Sequence, residues 1–532
     1  MSKKKVVLAL YILLTTAVWT QTVKMDAKPL VLNIGEKTVI EWTVVKEGIG
    51  ILQVVNASGK PVRTLDAGGM KPGNYHVEFD SKDFLGRNLP AGEYIIRMSV
   101  NPRTEPDMSF GVNGMLGTVS KKFIFKNERT FNLGVKEIIP ASVTVKVDGE
   151  DWKTGTDFST VENTFKVDEN GIIELNPKAE LQDNADIEIS ASVGLPLVNP
   201  WDVKVAPDNT LYIVDNIYLI DREINKLTTK QSRPGFVYKV DAEGKPVQDF
   251  GICGALKSTN TLCNGLAVDN EGNLYLSTLH HYVAVCDSRG NEKMKVAGFT
   301  FPKLEGGYGI TGIAVNENKR LVIVNCNQTN VIYDATKPGL EGFLACQDYK
   351  SGALLPPVAG HYCGPCVAAI GDFYYETTYN NNLIKYKYDE KNKEFSIIWR
   401  TPDSDPFSTM LKGKEHLWHA IGIALDGTGL IYVADRMNHR IQVFFDFDAG
   451  KTYKHVCSFG SEGSDVQKCQ MMAPHAVAVS PDGKVLYVAD DGYFYKQNYG
   501  LQRTIPVVKG LSRVTKLRVV AEETVERKLT IK

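Results

Sequence analysis

Six segments of the chain repeat one pattern: an apolar strand, a polar turn and a second apolar strand. They are "NPWDVKVAPDNTLYIVD" from Asn199, "LCNGLAVDNEGNLYLST" from Leu262, "GITGIAVNENKRLVIVN" from Gly309, "PCVAAIGDFYYETT" from Pro365, "HAIGIALDGTGLIYVAD" from His419 and "PHAVAVSPDGKVLYVAD" from Pro474. Aligned on Val203, Leu266, Ile313, Ala368, Ile423 and Val477, the spacings are 63, 47, 55, 55 and 54 residues. Such a unit cannot bury both faces alone and must pack against its neighbours. Six copies predict an all-β chain with a six-bladed β-propeller over residues 195–532, whose radial closure leaves few exposed strand edges. The spacing exceeds what a four-stranded blade needs, so long loops are expected.

Repeat register supplies a candidate site. Two residues before each aligned position, the innermost strands start at Trp201, Asn264, Thr311, Cys366, Ile421 and His475. The second-to-third turns of the same face carry an insertion at 218–233, His280-His281, Cys326-Asn327, residues 379–382, residues 436–439 and residues 491–493. Trp201, Asn264, His280, His281, Thr311, Tyr379, His419 and His475 are therefore the expected ligand-binding residues, with Trp201, Tyr218, Tyr379 and Tyr493 offering aromatic contact area. The opposite face has the short turns "APDN", "DNEG", "NENK" and "SPDG", suited to tight strand connections and little else. Asp215, Asp435 and Asp490 end second strands and are expected to accept backbone hydrogen bonds at the corners.

The repeat "HAIGIALDGTGLIYVADRMNHRIQVF" resembles the NHL repeat, with "SFG" and "DFG" where that family places Phe-Gly after the outer strand. The family includes protein-binding domains as well as lyases and hydrolases, so the resemblance implies a fold and not a function. Ahead of the repeats, residues 27–127 alternate in short β-like runs punctuated by Ser58-Gly59, Gly68-Gly69, Pro72-Gly73 and Pro90-Ala91-Gly92. The order "GKPVRTL" then "KPGNYHVEFDSKDFLGRNLPAGEYIIRM" resembles the Ig-like domain of FlgD-type hook-capping proteins, which implies a spacer or docking module. Residues 129–193, with "VTVKV" and "IEISASV", predict a second small β-rich domain.

Residues 363–366 spell Cys-Gly-Pro-Cys, but the motif runs into the predicted strand "VAAIG" rather than a helix, so nothing there would activate a thiol as in thioredoxin. The cysteines read instead as loop staples: Cys253 with Cys263, Cys457 with Cys469, and Cys346 with Cys363 or Cys366. In an oxidising compartment each such bridge contributes about 2–4 kcal/mol. Nine cysteines leave at least one outside any internal pair.

The strand start "PHAVAV" at His475 is similar to the Pro-His start that supplies zinc ligands in peptidylglycine amidoglycolate lyase propellers, although the other five starts hold Trp, Asn, Thr, Cys and Ile. The sequence makes no cofactor certain; the alternative is a divalent metal, zinc or calcium, for which the resemblance implies His475 as a ligand, with Cys366 substituting as a soft ligand and His419 or Asn264 completing the set. With 61 basic and 62 acidic side chains the chain has no field to attract nucleic acid. Three lysines before an apolar run in residues 1–20 predict a signal peptide, hence secretion to the periplasm or cell surface, with an uncleaved anchor as the alternative. No later segment predicts a membrane span. The reading is an exported binding or scaffold protein whose partner is an extracellular or periplasmic protein, peptide or glycan; the alternative is a metal-assisted lyase or hydrolase at the channel mouth.

Overall fold

The computed structural model describes residues 21–110, 115–133, 143–155, 158–168, 172–195, 197, 200–215, 236–247, 249–251, 255–257, 265–277, 282–296, 310–325, 329–348, 366–378, 381–402, 416–447, 450–490 and 513–532. The signal segment, Asn264, His280, His281, Tyr379, Cys253, Cys263 and Cys363 lie outside these residues, and Thr311 and Cys346 lie in strands whose side chains are not described.

Each aligned position lies on the first strand of a four-stranded antiparallel sheet. The first strands are Pro200–Val205, Leu266–Val268, Ile310–Val315, Val367–Ile370, Ala420–Leu425 and Pro474–Val479. Each of these strands packs against the next, and the sixth packs against the first, so the sheets form a closed ring. Small residues bring the inner strands close. A Cβ on Gly422 would sit 2.5 Å from the Ala476 Cα and 2.8 Å from the His475 carbonyl oxygen, so the approach of the fifth sheet to the sixth requires glycine. Core clusters fill the gaps between neighbouring sheets, for example Leu430, Tyr432, Val443, Val477, Val488 and Leu517 between the fifth and sixth.

The tight turns follow the expected chemistry. Asp269 accepts the amides of Glu271 and Asn273 at 2.9 Å, and Asn316 accepts those of Asn318 and Arg320 at 3.0 and 2.8 Å. At the other ends of the second strands, Asp435 accepts the Trp418 amide at 2.7 Å and Asp490 that of Met472 at 3.0 Å, as the sequence implies. Each carboxylate is also paired to an arginine of the third strand, Arg440 at 2.8 Å and Arg513 at 3.1 Å.

Two sheets with one core make up the first unit: a three-stranded sheet (Val23–Met25, Thr38–Val44, Gly73–Phe79) and a five-stranded one. In the second unit, one seven-stranded sheet runs from Thr130–Asn132 to the long pair Asp186–Leu195 and Met115–Ile124, with a core that includes Phe131, Trp152, Phe165 and Ile187.

Strand pairing crosses the expected boundaries in both directions. Arg103–Phe110, within the span expected for the first domain, pairs with Arg513–Val520 and supplies the fourth strand of the sixth ring sheet. Glu523–Ile531, within the span expected for the ring, pairs with Gly92–Val100 and Leu30–Leu32 in the five-stranded sheet of the first unit. The ring therefore does not close on residues 195–532 alone. The long strand Met115–Ile124 likewise belongs with the second unit rather than the first.

The expected staple between Cys457 and Cys469 is not formed; both are free, buried thiols. Cys457 lies on the strand Thr452–Phe459 within the apolar cluster of the fifth and sixth sheets, where burial pushes its thiol up to about 12. Cys469 caps a short 3-10 turn in the left-handed region, φ 52°, and its Sγ reaches the Thr104 carbonyl oxygen at 3.5 Å. The loop between them is closed instead by the parallel pair Ser461–Glu462 and Gln470–Met471. Cys286 and Cys366 are free thiols as well, so Cys366 is not the partner of Cys346.

Candidate functional site

One end of the ring, from the fourth sheet through the sixth to the first, is held by a chain of side chain-to-backbone hydrogen bonds. After the second strand of the fourth sheet, Asn381 takes the left-handed conformation, φ 60°, and its Oδ1 accepts the amide of His419, φ 54°, ahead of the fifth sheet. The same device recurs one sheet on: His439, φ 54°, accepts the amide of Ala473, φ 58°, at Nδ1, 3.1 Å away. Asn381 and His439 occupy equivalent positions, each four residues past the end of its second strand, Thr377 or Asp435. Non-glycine residues held at positive φ store strain, and here four of them are tied in pairs at one end of the ring.

His475 continues the series from the sixth sheet to the first. Its Nδ1 lies 2.7 Å from the Trp201 carbonyl oxygen, which can only accept, so Nδ1 carries the proton and Nε2 presents a lone pair. That Nε2 is buried and has no hydrogen-bond partner among the described residues. The imidazole is 1% exposed and its ring centre is 3.9 Å from that of Trp201. Burial, then the nearby Arg436 guanidinium, hold its pKa well below 6.5, so it is neutral at pH 7. His439 is also held below its ordinary value, chiefly by burial.

Cys366 belongs to a different group. Its amide donates to Thr377 Oγ1 at 3.2 Å, and Thr377 Oγ1 in turn donates to the Ile421 carbonyl at 2.9 Å, tying the fourth sheet to the fifth. On the first strand of the ring, Asp202 pairs with Lys204 at 2.7 Å and accepts the Leu266 amide of the second sheet at 3.0 Å. Burial pushes the Cys366 thiol up, against the opposing charge of Lys204, so it stays protonated. The residues that follow it, Val367–Ile370, form a strand rather than a helix whose N-terminus would make it a nucleophile.

The expected three-ligand set of His475, Cys366 and His419 is not assembled. No group of three or more His, Cys, Asp or Glu among the described residues is placed to hold a metal ion. His475 and His419 share one neighbourhood with Arg436, while Cys366 sits with Lys204 and Asp202. Trp201 is also not the exposed aromatic that the sequence suggested: it is 8% exposed and packs with Tyr212, Val214 and Leu266 between the first two sheets. Of the eight expected contact residues, the structure brings Trp201, His419 and His475 to one end of the ring, with Thr311 on the strand Ile310–Val315 of the third sheet.

Sequence reasoning placed residues 379–382 and 436–439 on this face but did not single out Asn381, Arg436 or His439. The signal that marks two of them is positional, a residue able to adopt positive φ four places beyond the second strand.

The NHL repeat model matches residues 417–444, which contain His419, Asp435, Arg436 and His439. No curated protein matches the chain. Among solved structures, RRP9 WD40 repeats are similar at a TM-score of 0.39 and 9% identity, covering 60% of this chain and 94% of that one. A periplasmic gluconolactonase from Pseudomonas aeruginosa gives 0.36 and 15%, covering 72% and 99%. Hydrazine synthase from Kuenenia stuttgartiensis gives 0.31 and 15%, covering 56% and 93%. The matched repeat and the closed ring of four-stranded sheets make this an all-β protein built on a β-propeller.

Proposed function

We propose that the chain is an exported binding or scaffold protein: a six-bladed, NHL-type propeller preceded by an Ig-like first domain and a second β-rich domain, which recognises a protein or peptide at the end of the ring marked by His475. The observation that carries this reading is the His475 imidazole, neutral and oriented by the Trp201 carbonyl, with a buried Nε2 lone pair that nothing described in the chain satisfies. Leaving such an acceptor unpaired costs about 1–3 kcal/mol. A ligand donor, a peptide N–H or hydroxyl, would recover that cost on binding. Strain stored in Asn381, His419, His439 and Ala473 fixes the neighbouring backbone in advance, which lowers the entropy lost when a ligand docks.

The test is to pan a displayed peptide library on the intact chain and on His475→Leu, with circular dichroism confirming that the variant folds. Peptides retained by the wild type and weakened about tenfold or more by the substitution support the reading. Equal retention by both chains overturns it. So does stoichiometric zinc or calcium in the purified wild type that is lost in His475→Leu, which would favour a metal-assisted lyase or hydrolase.

A further inference from the structure

A second cleft lies away from the ring's end, where the first unit meets the outer edge of the fifth sheet. It encloses about 490 Å³, within the range of small-ligand sites, and is lined by both units. One wall is the strand pair Thr38–Val44 and Gly73–Phe79, on which Trp42 and Tyr75 are directly opposite. Their rings stack at 5.7 Å with an interplanar angle of 14°. Tyr75 is half-exposed, and its hydroxyl is fixed by the Lys71 backbone, donating to the carbonyl at 2.8 Å and accepting the amide at 2.9 Å. Trp42 is 3% exposed, yet its indole Nε1–H has no acceptor among the described residues. A buried donor without an acceptor in the wall of an open cleft is the same kind of signal as the His475 lone pair, with the opposite polarity.

The other wall is polar. Asp66, on the edge strand Pro61–Met70, pairs with Lys454 at 2.8 Å, and Lys454 also lies 3.6 Å from the Phe447 ring centre. Thr452, Tyr453 and His455 continue this wall along the fifth sheet's outer strand. Gly68 and Gly69 also line the cleft; Gly69 is exposed, and a Cβ built on it meets nothing within 4 Å.

We propose that this cleft binds a short neutral saccharide. The half-exposed Tyr75 ring, backed by buried Trp42, beside hydroxyl, carboxylate, ammonium and imidazole groups suits a ligand with an apolar ring face and a rim of hydroxyls. Because Asp66 and Lys454 cancel each other, the cleft offers no net charge to select an anion or a cation. An extended peptide is disfavoured by the geometry. A strand added to the edge of Pro61–Met70 would have to pass Gly68, where a Cβ would already lie 3.7 Å from the His455 carbonyl oxygen, and the Asp66–Lys454 bridge closes the same gap.

Titration calorimetry of the full chain with maltotriose, cellotriose, mannotriose and triacetylchitotriose tests the assignment. At least one should bind with a Kd on the order of 1 mM or tighter. Gly69→Leu, which adds a side chain in open space at a residue of ordinary φ, should fold normally and weaken that binding about tenfold or more; Tyr75→Ala should weaken it as well. No binding by any of the four, or binding unchanged in Gly69→Leu, overturns the proposal. Binding of an extended peptide from a displayed library that Gly69→Leu abolishes would also overturn it, in favour of strand addition.

Discussion

A buried carboxylate gathers donors at the contact between the fourth and fifth sheets, beside an apolar cluster and the Thr377–Ile421 hydrogen bond, and its removal is the sharpest test of how the ring is held. Asp446 accepts three donors: Lys385 Nζ at 2.5 Å, the Tyr375 hydroxyl at 2.6 Å and the Trp399 indole N–H at 2.9 Å. Lys385 is 1% exposed; its ammonium also donates to the Gly450 carbonyl at 3.0 Å and lies 4.0 Å from the Phe373 ring centre. Burial lowers the Lys385 pKa, with Asp446 opposing. Asp446→Ala strands an ammonium, a phenol and an indole donor, and breaking a buried pair from one side costs about 3–5 kcal/mol. That is a large share of the roughly 5–15 kcal/mol by which a domain is stable. Lys385→Met with Asp446→Leu removes both charges and should recover most of the loss, since apolar replacement of a buried pair is commonly neutral or stabilising. Urea unfolding followed by circular dichroism, on the wild type, Asp446→Ala, Lys385→Met, Asp446→Leu and the Lys385→Met/Asp446→Leu double, tests both expectations, and the last three against the wild type give the coupling energy. A loss below about 1 kcal/mol in Asp446→Ala, or a double variant as unstable as Asp446→Ala, would refute the reasoning.

Three further outcomes are expected. The unfolded His475 imidazole takes up a proton as the pH falls through 6.5 while the folded one does not, so stability declines on acidification below 6.5. His475→Phe should flatten that slope by up to about 1.4 kcal/mol per pH unit, measured by urea unfolding across pH 5–7, and an unchanged slope would count against a buried neutral imidazole. Cys457 and Cys469 should resist a thiol reagent in the folded chain and react once it is unfolded; non-reducing peptide mapping that finds them linked would contradict the structure. Gly422→Ala should cost about 1–3 kcal/mol or more, read as a lowered Tm, because its methyl group meets the Ala476 backbone at 2.5 Å.

The ring was legible because its first two strands are short apolar runs around turns rich in Asp, Asn and Gly, a pattern that survives in all six copies. Its closing strand was not. "RTEPDMSF" carries Pro106 and three charged residues and shows no alternation, since an outer strand buries little and takes its place from its partner. The partner of Glu523–Ile531 was equally hidden, because alternation reveals a strand and never says which sheet receives it. At the candidate site, register gave His475 and Trp201 but not their burial. The cysteine pairing failed for a related reason: spacing fits a closed loop, while the direction of each Cβ, which decides a bridge, is absent from the sequence.

The two exchanged strands set the order in which this chain can be finished. Tyr94 of the first unit faces Leu529, and Arg97 binds Glu526 across 429 positions of sequence. The sixth sheet waits in the same way for Arg513–Val520 to meet a strand made some four hundred residues earlier. Neither the leading unit nor the ring can reach its full set of strands until residues 513–531 have been synthesised. Contacts so distant in sequence make assembly slow, because chain closure must be completed before it is rewarded. A chain that stops short of Glu523 leaves an unpaired edge along Gly92–Val100, an exposed template for association and a target for proteases.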